Sequence, residues 1–206
     1  MKRKQRILMG LAALLLVGVY IFPIWSISLE APQYPEGIGL NIWVDTIAGK
    51  QPHDLQNING LNHYIGMKAI TPESIPELKI MPYLFGFLIV TGLLLAVWGN
   101  RKWVLAWVVL FILLAITGLV DFWLWEYDYG HNLNPDAPIK VPGMTYQPPL
   151  IGSKQLLNIN ATSLPHTGFF FALASMGLAS WVWWKSGEKD RENSSREKAE
   201  KEKVAA

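Results

Sequence analysis

Four long apolar blocks, separated by polar segments, set the organisation of the chain. They cover residues 7–25, 81–98, 103–125 and 167–184. Each block is close to the roughly 20 residues that a helix needs to cross about 30 Å of hydrocarbon. A soluble domain of the same length would intersperse its apolar residues with polar ones to build a single core. The pattern therefore predicts an all-α membrane protein, a bundle of four transmembrane helices.

The first block follows a strongly basic start, with four Lys and Arg among the first six residues. A secretory signal peptide begins in the same way, but its apolar segment is shorter and ends at a cleavage site with small residues. Here Phe22, Pro23 and Trp25 stand where that site would lie. We therefore expect the first block to be an uncleaved transmembrane anchor.

The distribution of basic residues predicts the orientation in the membrane. Thirteen Lys and Arg lie in the N-terminal segment, the short turn at 99–102 and the tail, against five in the two long loops. Basic segments next to transmembrane helices stay in the cytoplasm. We therefore expect a multi-pass protein of the bacterial inner (cell) membrane, with both termini cytoplasmic. The charged segment 186–206 is then a cytoplasmic tail.

The two long loops, 26–80 and 126–166, are then extracytoplasmic. Both are rich in Pro, Gly and Asn, and loops of this length usually carry function. Short β-like stretches occur at 40–47 and 157–160, and 55–70 fits a turn followed by a short helix. We expect two irregular loops that pack together as an outer cap, because this satisfies their backbone polar groups.

Composition excludes several kinds of chemistry. The chain has no cysteine, so it can form no disulfide and offer no thiolate ligand. All four histidines lie in the two loops. Ion transport and b-type haem binding are disfavoured because the spans carry no His, Lys or Arg in their interiors. No phosphate-binding glycine loop, Ser–His–Asp set or zinc-protease motif is present. We expect neither an enzyme nor a nucleic-acid partner.

The loops contain a candidate metal site. His63 and Met67 are four residues apart and share a face if the segment is helical. Imidazole and thioether groups together suit copper. The alternative is that the histidines simply hydrogen-bond to loop backbone. The candidate copper ligands are His63, Met67, His131, Met144 and His166.

Acidic residues near the end of the third block suggest another possibility. Asp121 lies within the block and Glu126 directly follows it, and His131 is close in sequence. Ionisable groups at membrane depth are rare and often functional. They could act as acid–base groups in lipid or quinone chemistry at the outer leaflet, although nothing in the sequence pairs them. Asp121 is equally compatible with a structural anchor.

Several segments carry a resemblance to a known family. They are GLNIWVDTIAG, LQNINGLNHYIGMKAI, IPELKIMPYLFG and YDYGHNLNPDAPIKVPGMTYQPPLIGSKQLLNINATSLPHTG. The chain resembles the small integral membrane proteins encoded beside nitrous oxide reductase in bacteria such as Bacteroidetes. The resemblance spans all four blocks and both loops, but not the tail. It implies an accessory role in the maturation or function of an exported copper enzyme. The resemblance assigns no catalytic residues to this chain.

Two hypotheses on function remain open beside the enzymatic one. In the first, the outer cap binds copper or docks a periplasmic copper enzyme or copper chaperone. In the second, the protein is a non-catalytic membrane scaffold or electron-transfer-complex subunit with no metal site. The second hypothesis depends on loop aromatics such as Trp43, Tyr64 and Tyr146 rather than on histidines.

Overall fold

The helices account for the four apolar blocks. The computed structural model describes the backbone of residues 1–205 and the side chains of residues 1–187. Its helices are α1 (Arg3–Leu15), α2 (Gly18–Ile21), α3 (Asp54–Ile65), α4 (Pro76–Trp98), α5 (Arg101–His131) and α6 (Thr167–Ala205), with a 3₁₀ turn at Pro72–Ser74.

Four helical segments of the described chain are long and apolar enough to cross a membrane. They are Arg3–Ile21, Pro76–Trp98, Arg101–His131 and Thr167–Gly187. Each of the four predicted blocks therefore contains a helix that is long and apolar enough to cross a membrane, although the first helical segment ends at Ile21 rather than at Trp25. Apart from Ser186 and Gly187, the predicted charged tail lies outside the residues whose side chains are described.

The chain divides into two compact units, and the first consists of helices alone. It comprises Met1–Val17, Phe85–Leu113 and Ala172–Ala206. A Cβ added to Gly92 of α4 would lie 2.8 Å from Cβ of Ala13 and 3.4 Å from the ring of Trp107, so α1, α4 and α5 approach closely there. Ser175 Oγ of α6 donates a hydrogen bond to the Ala12 carbonyl at 2.7 Å. Small residues and hydroxyl groups at such contacts are typical of helix packing in membranes.

The second unit overturns the all-α prediction. It comprises Gly18–Leu84 and Leu114–Phe171, and we call it the loop domain. Here the two loops form one antiparallel sheet in the order β3-β2-β1-β5-β4, so the fold is mixed α/β. The strands are β1 (Trp25–Ala31), β2 (Tyr34–Ile42), β3 (Ile47–Gly49), β4 (Gly152–Leu156) and β5 (Ile159–Pro165).

The central strand joins the two loops. β1 belongs to the first loop and pairs with β2 on one side. On its other side it pairs with β5 of the second loop, in register from Trp25 opposite Pro165 to Glu30 opposite Asn160. The loops are therefore not two irregular segments in contact, since each completes the hydrogen-bonded ladder of the other.

Strand β1 was missed because of its position in the sequence. The apolar block that predicted the first span extends to Trp25, but helix α2 ends at Ile21 and the strand begins at Trp25. The alternation of Trp25 and Ile27 with Ser26 was therefore hidden at the end of an apolar block. Its partner strand lies far away in the sequence, and pairing between distant segments leaves no local pattern.

Trp25 is at the centre of the loop-domain core. Its side chain is buried, and its Nε1–H donates to Ser163 Oγ of β5 at 2.8 Å. Its ring meets the rings of Phe122 and Phe169 edge to face, at centroid distances of 5.4 and 5.7 Å. Aromatic pairs in this geometry add stability beyond the area they bury. Through the Trp25 side chain, strand β1 thus contacts residues of β5, α5 and α6 within the same unit.

Helix α3 is fixed to the sheet at its first residue. The buried Asp54 carboxylate accepts hydrogen bonds from the Gly39 N–H at 3.0 Å and the Gln51 N–H at 3.1 Å. A carboxylate at a helix N-terminus also interacts favourably with the helix dipole. At the other end, Gly66 closes the helix in the left-handed conformation. The expectation of a short helix in this segment is confirmed.

The second loop lies along the end of α5. The Tyr146 N–H donates to the Gly130 carbonyl at 2.9 Å. A Cβ added to Gly130 would lie 2.4 Å from the backbone N of Gln147, so only glycine permits this approach. Gly60 of α3 provides a contrast, because a Cβ added there meets nothing within 4 Å.

These two glycines give a matched test of the loop placement. We expect Gly130→Ala to lower the free energy of unfolding by about 1–3 kcal/mol, because the backbone of the second loop must move. Gly60→Ala should raise it by about 0.5–1 kcal/mol, because alanine favours a helix over glycine. Chemical unfolding of the purified protein in detergent measures both. Equal effects of the two changes would contradict the close approach.

Candidate functional site

All five candidate copper ligands lie in the loop domain. His63 is in α3, Met67 follows it, and His131 is the last residue of α5. Met144 lies in the second loop and His166 lies between β5 and α6. No three His, Cys, Asp or Glu side chains of the described residues lie close enough to hold a metal ion. That finding does not count the methionines, and copper binding stays a prediction.

The local contacts of these residues differ. His63 is exposed and its ring lies edge to face with Tyr64. His131 is also exposed, stacks on Tyr127 at a centroid distance of 3.9 Å, and places Nδ1 3.0 Å from the Tyr127 carbonyl oxygen. Met67 instead packs against the apolar core. The exposed histidines are therefore available to a ligand, whereas Met67 also contributes to packing.

Three of the five lie on two segments that are joined directly. The Asn134 N–H donates to the Gly66 carbonyl at 2.7 Å, and Lys68 Nζ pairs with Asp128 Oδ2 at 2.6 Å. The Ile139 N–H donates to the Tyr64 carbonyl at 2.9 Å. These bonds tie residues 63–68 to residues 128–139, and we call the result the α3–α5 edge. His63, Met67 and His131 belong to it, while Met144 and His166 do not.

A cavity inside the loop domain is the most distinctive feature of the structure. Its volume is about 370 Å³, within the range of small-molecule sites. The sheet, α3, α5 and the second loop all contribute walls, and the lining is almost entirely apolar. Representative lining residues are Ile27 and Ala161 of the sheet, Ile58 of α3, Trp125 and Tyr129 of α5, and Tyr146 of the second loop.

The cavity has an exposed rim and a buried floor. Tyr64, Ile139 and Leu157 line it and are 56%, 47% and 44% exposed. Glu126 and Ala161 also line it, and both are 0% exposed. The mouth also carries the exposed polar residues Gln33 and Asn158, whereas the Glu126 carboxyl oxygens are buried behind the cavity wall.

Glu126 is an unpartnered carboxyl group in this apolar floor. Both of its carboxyl oxygens are buried and form no hydrogen bond with any described residue. Trp125 Nε1 and the Tyr146 hydroxyl, which belong to other lining residues, are buried and unpartnered as well. Buried polar groups are nearly always hydrogen-bonded, and an isolated one lowers stability. Ser26, Asn41 and His166, which do not line the cavity, also have buried unpartnered polar atoms, so such groups are not confined to the cavity wall.

The helical repeat places Glu126 there. Phe122, Trp125 and Tyr129 occupy one face of α5 at spacings of three and four residues, and all three belong to the core or pack against it. Glu126 lies four residues after Phe122 and so falls on the same face. Tyr127 lies on the opposite side and is exposed. Glu126 therefore interrupts an apolar stripe on α5, and this interruption can be recognised in the sequence.

Leu157 at the rim has a strained backbone. It is the first of the two residues, Leu157 and Asn158, that connect β4 to β5, and its φ is +54°. A positive φ at this hairpin position favours glycine, and a bulky residue there is unusual. An apolar side chain held in such a conformation at a cavity mouth points to a role in binding.

The structure does not bring together the residues that the acid–base hypothesis requires. Glu126 has no hydrogen-bonding partner among the described residues, and His131 stacks on the exposed Tyr127. Sequence reasoning had named Glu126 as a possible acid–base group but gave it no cavity. Tyr64 and Tyr146, expected to matter only as docking aromatics, both line that cavity.

Together these features describe a chain with four helices long and apolar enough to cross a membrane and with an α/β loop domain that carries a partly open apolar cavity. Comparison with models of protein families finds no match, and comparison with curated proteins finds none. The resemblance to the proteins encoded beside nitrous oxide reductase therefore stays an expectation.

The lack of a hydrogen-bonding partner for the Glu126 carboxyl group leads to a prediction about stability. In protein washed free of lipid, we expect Glu126→Leu to raise the free energy of unfolding by about 1–3 kcal/mol, because it removes a buried polar group without a partner. Asp128→Leu is the control, since its exposed ion pair contributes at most about 1 kcal/mol and its loss lowers stability slightly. A marked loss of stability in Glu126→Leu would show that the carboxyl has a structural partner.

Proposed function

We propose that this protein is a non-enzymatic accessory protein of the bacterial cell membrane whose loop domain binds an apolar ligand. Both termini lie in the cytoplasm and the loop domain faces the extracytoplasmic side, as the distribution of Lys and Arg favours. The observation that carries the proposal is the apolar cavity whose walls come from the sheet, α3, α5 and the second loop.

A ligand explains the cavity better than imperfect packing does. Protein interiors leave few voids larger than a water molecule, because unfilled volume loses packing contacts. Water alone does not account for a volume of about 370 Å³, since a buried water needs two to four polar partners and most of the lining is apolar. A bound molecule with an apolar body fills the space and restores the lost contacts.

A binding role accords better with the site than catalysis does. General acid–base chemistry requires a second group within hydrogen-bonding reach of the reacting atoms. The Glu126 carboxyl has no such neighbour among the described residues. An apolar lining with a few polar residues at its edge, here Gln33 and Asn158, is instead typical of a ligand-binding site.

Filling the cavity tests the proposal. Ile139→Trp places a larger ring at the cavity mouth, and we expect it to reduce the co-purification of small apolar molecules, because it occupies space that they would fill. The control is Val141→Trp, since Val141 is also exposed but does not line the cavity. Mass spectrometry of protein extracted with its native lipids measures the bound molecules. Wild-type protein without a bound molecule, or equal binding to Ile139→Trp and to the wild type, would contradict the proposal.

A second candidate function is service to an exported copper enzyme. The observation that favours it is the α3–α5 edge, which carries the exposed His63 and His131 on segments tied together by hydrogen bonds. The partner would be a periplasmic copper enzyme or a copper chaperone, as the family resemblance implies. This function is compatible with ligand binding, because His63 and His131 do not line the cavity, although Met67 does.

Copper binding is measured by titrating the purified protein with Cu(I) and Cu(II) under a competing chelator. If the edge binds copper, His63→Ala and His131→Ala should each weaken binding at least about tenfold, because each removes one ligand. His53→Ala is the control, since His53 is exposed but lies at the opposite end of α3. No binding above the chelator background would favour the metal-free scaffold.

A further inference from the structure

We infer that the first, helical unit binds an anionic phospholipid at the end where α1 and α5 begin, and that Arg3, Lys4 and Lys102 hold its phosphate group. We call these three residues the basic collar. The inference goes beyond the proposed function, because it concerns the other compact unit and uses no residue of the cavity. Three properties carry it: the separation of charge between the units, the meeting of three chain segments, and the apolar surface beside the collar.

The charges of the chain are divided unequally between its units. Residues 1–17, 85–113 and 172–187 contain seven Lys and Arg and no Asp or Glu. Residues 18–84 and 114–171 contain ten Asp and Glu and five Lys. The segment 188–206 has six acidic and six basic residues, so its net charge is zero. The helical unit therefore has an excess of positive charge that its own sequence does not balance.

The start of α1 is bonded to the end of α4. Arg6 Nε donates to the Ala96 carbonyl at 2.9 Å, and Arg6 Nη2 donates to the Val97 carbonyl. A cation at a helix C-terminus also interacts favourably with the helix dipole, so Arg6 is used within the protein. Arg3 and Lys4 lie in the same turn of α1 and are exposed. Within residues 1–187 neither side chain has a hydrogen bond or an ion pair.

The start of α5 meets α6 at the same end. The Arg101 guanidinium carbon lies 5.3 Å from the centroid of the Trp183 ring, and Arg101 Nε donates to the Trp183 carbonyl at 3.4 Å. A Cβ added to Gly187 would collide with the Arg101 guanidinium group. Lys102 is exposed, and its backbone N–H donates to Asn100 Oδ1 at 3.0 Å. Arg101 therefore packs between helices, whereas the Lys102 side chain is presented at the surface.

Apolar side chains beside the collar determine the class of partner. Ile7, Val97 and Trp98 are 61%, 64% and 70% exposed, and Trp103 is 63% exposed. Exposed Trp at the end of a membrane span is typical of the level of the lipid head groups. The partner therefore has to offer an anion to the collar and hydrocarbon to the neighbouring side chains. A phospholipid offers both, whereas a nucleic acid or an acidic protein surface would leave the apolar side chains in water.

The excess of positive charge favours an anionic head group over a zwitterionic one. The phosphate of phosphatidylcholine is balanced by the ammonium group of the same molecule, but phosphatidylglycerol keeps its negative charge. Each Lys or Arg close to an anionic membrane surface strengthens the attraction several-fold. In the proposed orientation the collar lies at the cytoplasmic leaflet, where anionic lipids create a negative surface potential.

Lipid competition with the full-length protein in detergent tests the inference. The probe is phosphatidylglycerol with a dansyl group on an acyl chain, and energy transfer from tryptophan reports its binding. Unlabelled phosphatidylglycerol and phosphatidylcholine with identical acyl chains compete at equal mole fraction. We expect phosphatidylglycerol to compete at least about tenfold better at about 0.1 M salt. The preference should fall below about twofold at about 1 M salt, because the screening length shortens from about 10 Å to about 3 Å.

Two charge-matched variants locate the binding site. The collar variant combines Arg3→Gln, Lys4→Gln and Lys102→Gln, and its preference for phosphatidylglycerol should fall below about twofold. The control removes three exposed lysines of the loop domain and should keep the wild-type preference. Its changes are Lys79→Gln, Lys140→Gln and Lys154→Gln. Exchanging Lys for Arg at positions 4 and 102 keeps the charge and should also keep the preference.

Several results would overturn the inference. They are equal competition by the two lipids, a preference that survives in the collar variant, and a preference lost equally in the control. Competition by glycerol 3-phosphate as strong as that by phosphatidylglycerol would assign the collar to a soluble anion instead. If the collar variant does not fold, a wild-type preference that persists at about 1 M salt would by itself contradict the inference. None of these results bears on the cavity, so the proposed function is tested separately.

Discussion

The pairing of β1 with β5 is the constraint on which the loop domain depends. β1 belongs to the first loop and β5 to the second, and neither could complete its ladder of hydrogen bonds alone. Trp25 adds a side-chain link at the same place through its hydrogen bond to Ser163. Once this pair is formed, one face of the sheet has to be covered. Helix α3 and the C-terminal part of α5 supply the apolar side chains that cover it.

The cavity arises where this cover is incomplete. Glu126 lies on the face of α5 that packs against the sheet, so an apolar position of the stripe is occupied by an acid. Leu157 adds a second departure from local preference, with a bulky residue at a positive φ on the cavity rim. Each feature lowers the stability of the empty domain. Departures of this kind from local preference are concentrated at functional sites.

Much of the helical part of the molecule could be predicted from the sequence, since a block of about twenty apolar residues is a local signal. The sheet could not, because β1 adjoins an apolar block at Trp25 and its partner β5 is distant in sequence. The segment 40–47 was predicted as β-like, yet the structure divides it between the end of β2 and the start of β3. Glu126 was visible as an unusual acid, but its surroundings come from the sheet and from both loops. Histidines and methionines attracted the metal hypothesis because residue type is visible in a sequence, whereas a cavity is not.

An experimental electron-density map of the protein, extracted together with its native lipids, tests the central claim most directly. The account predicts elongated density that runs from the rim at Tyr64 and Leu157 along the apolar walls formed by the sheet, α3 and α5. A collapsed cavity, or an open cavity that contains no bound molecule, would contradict it.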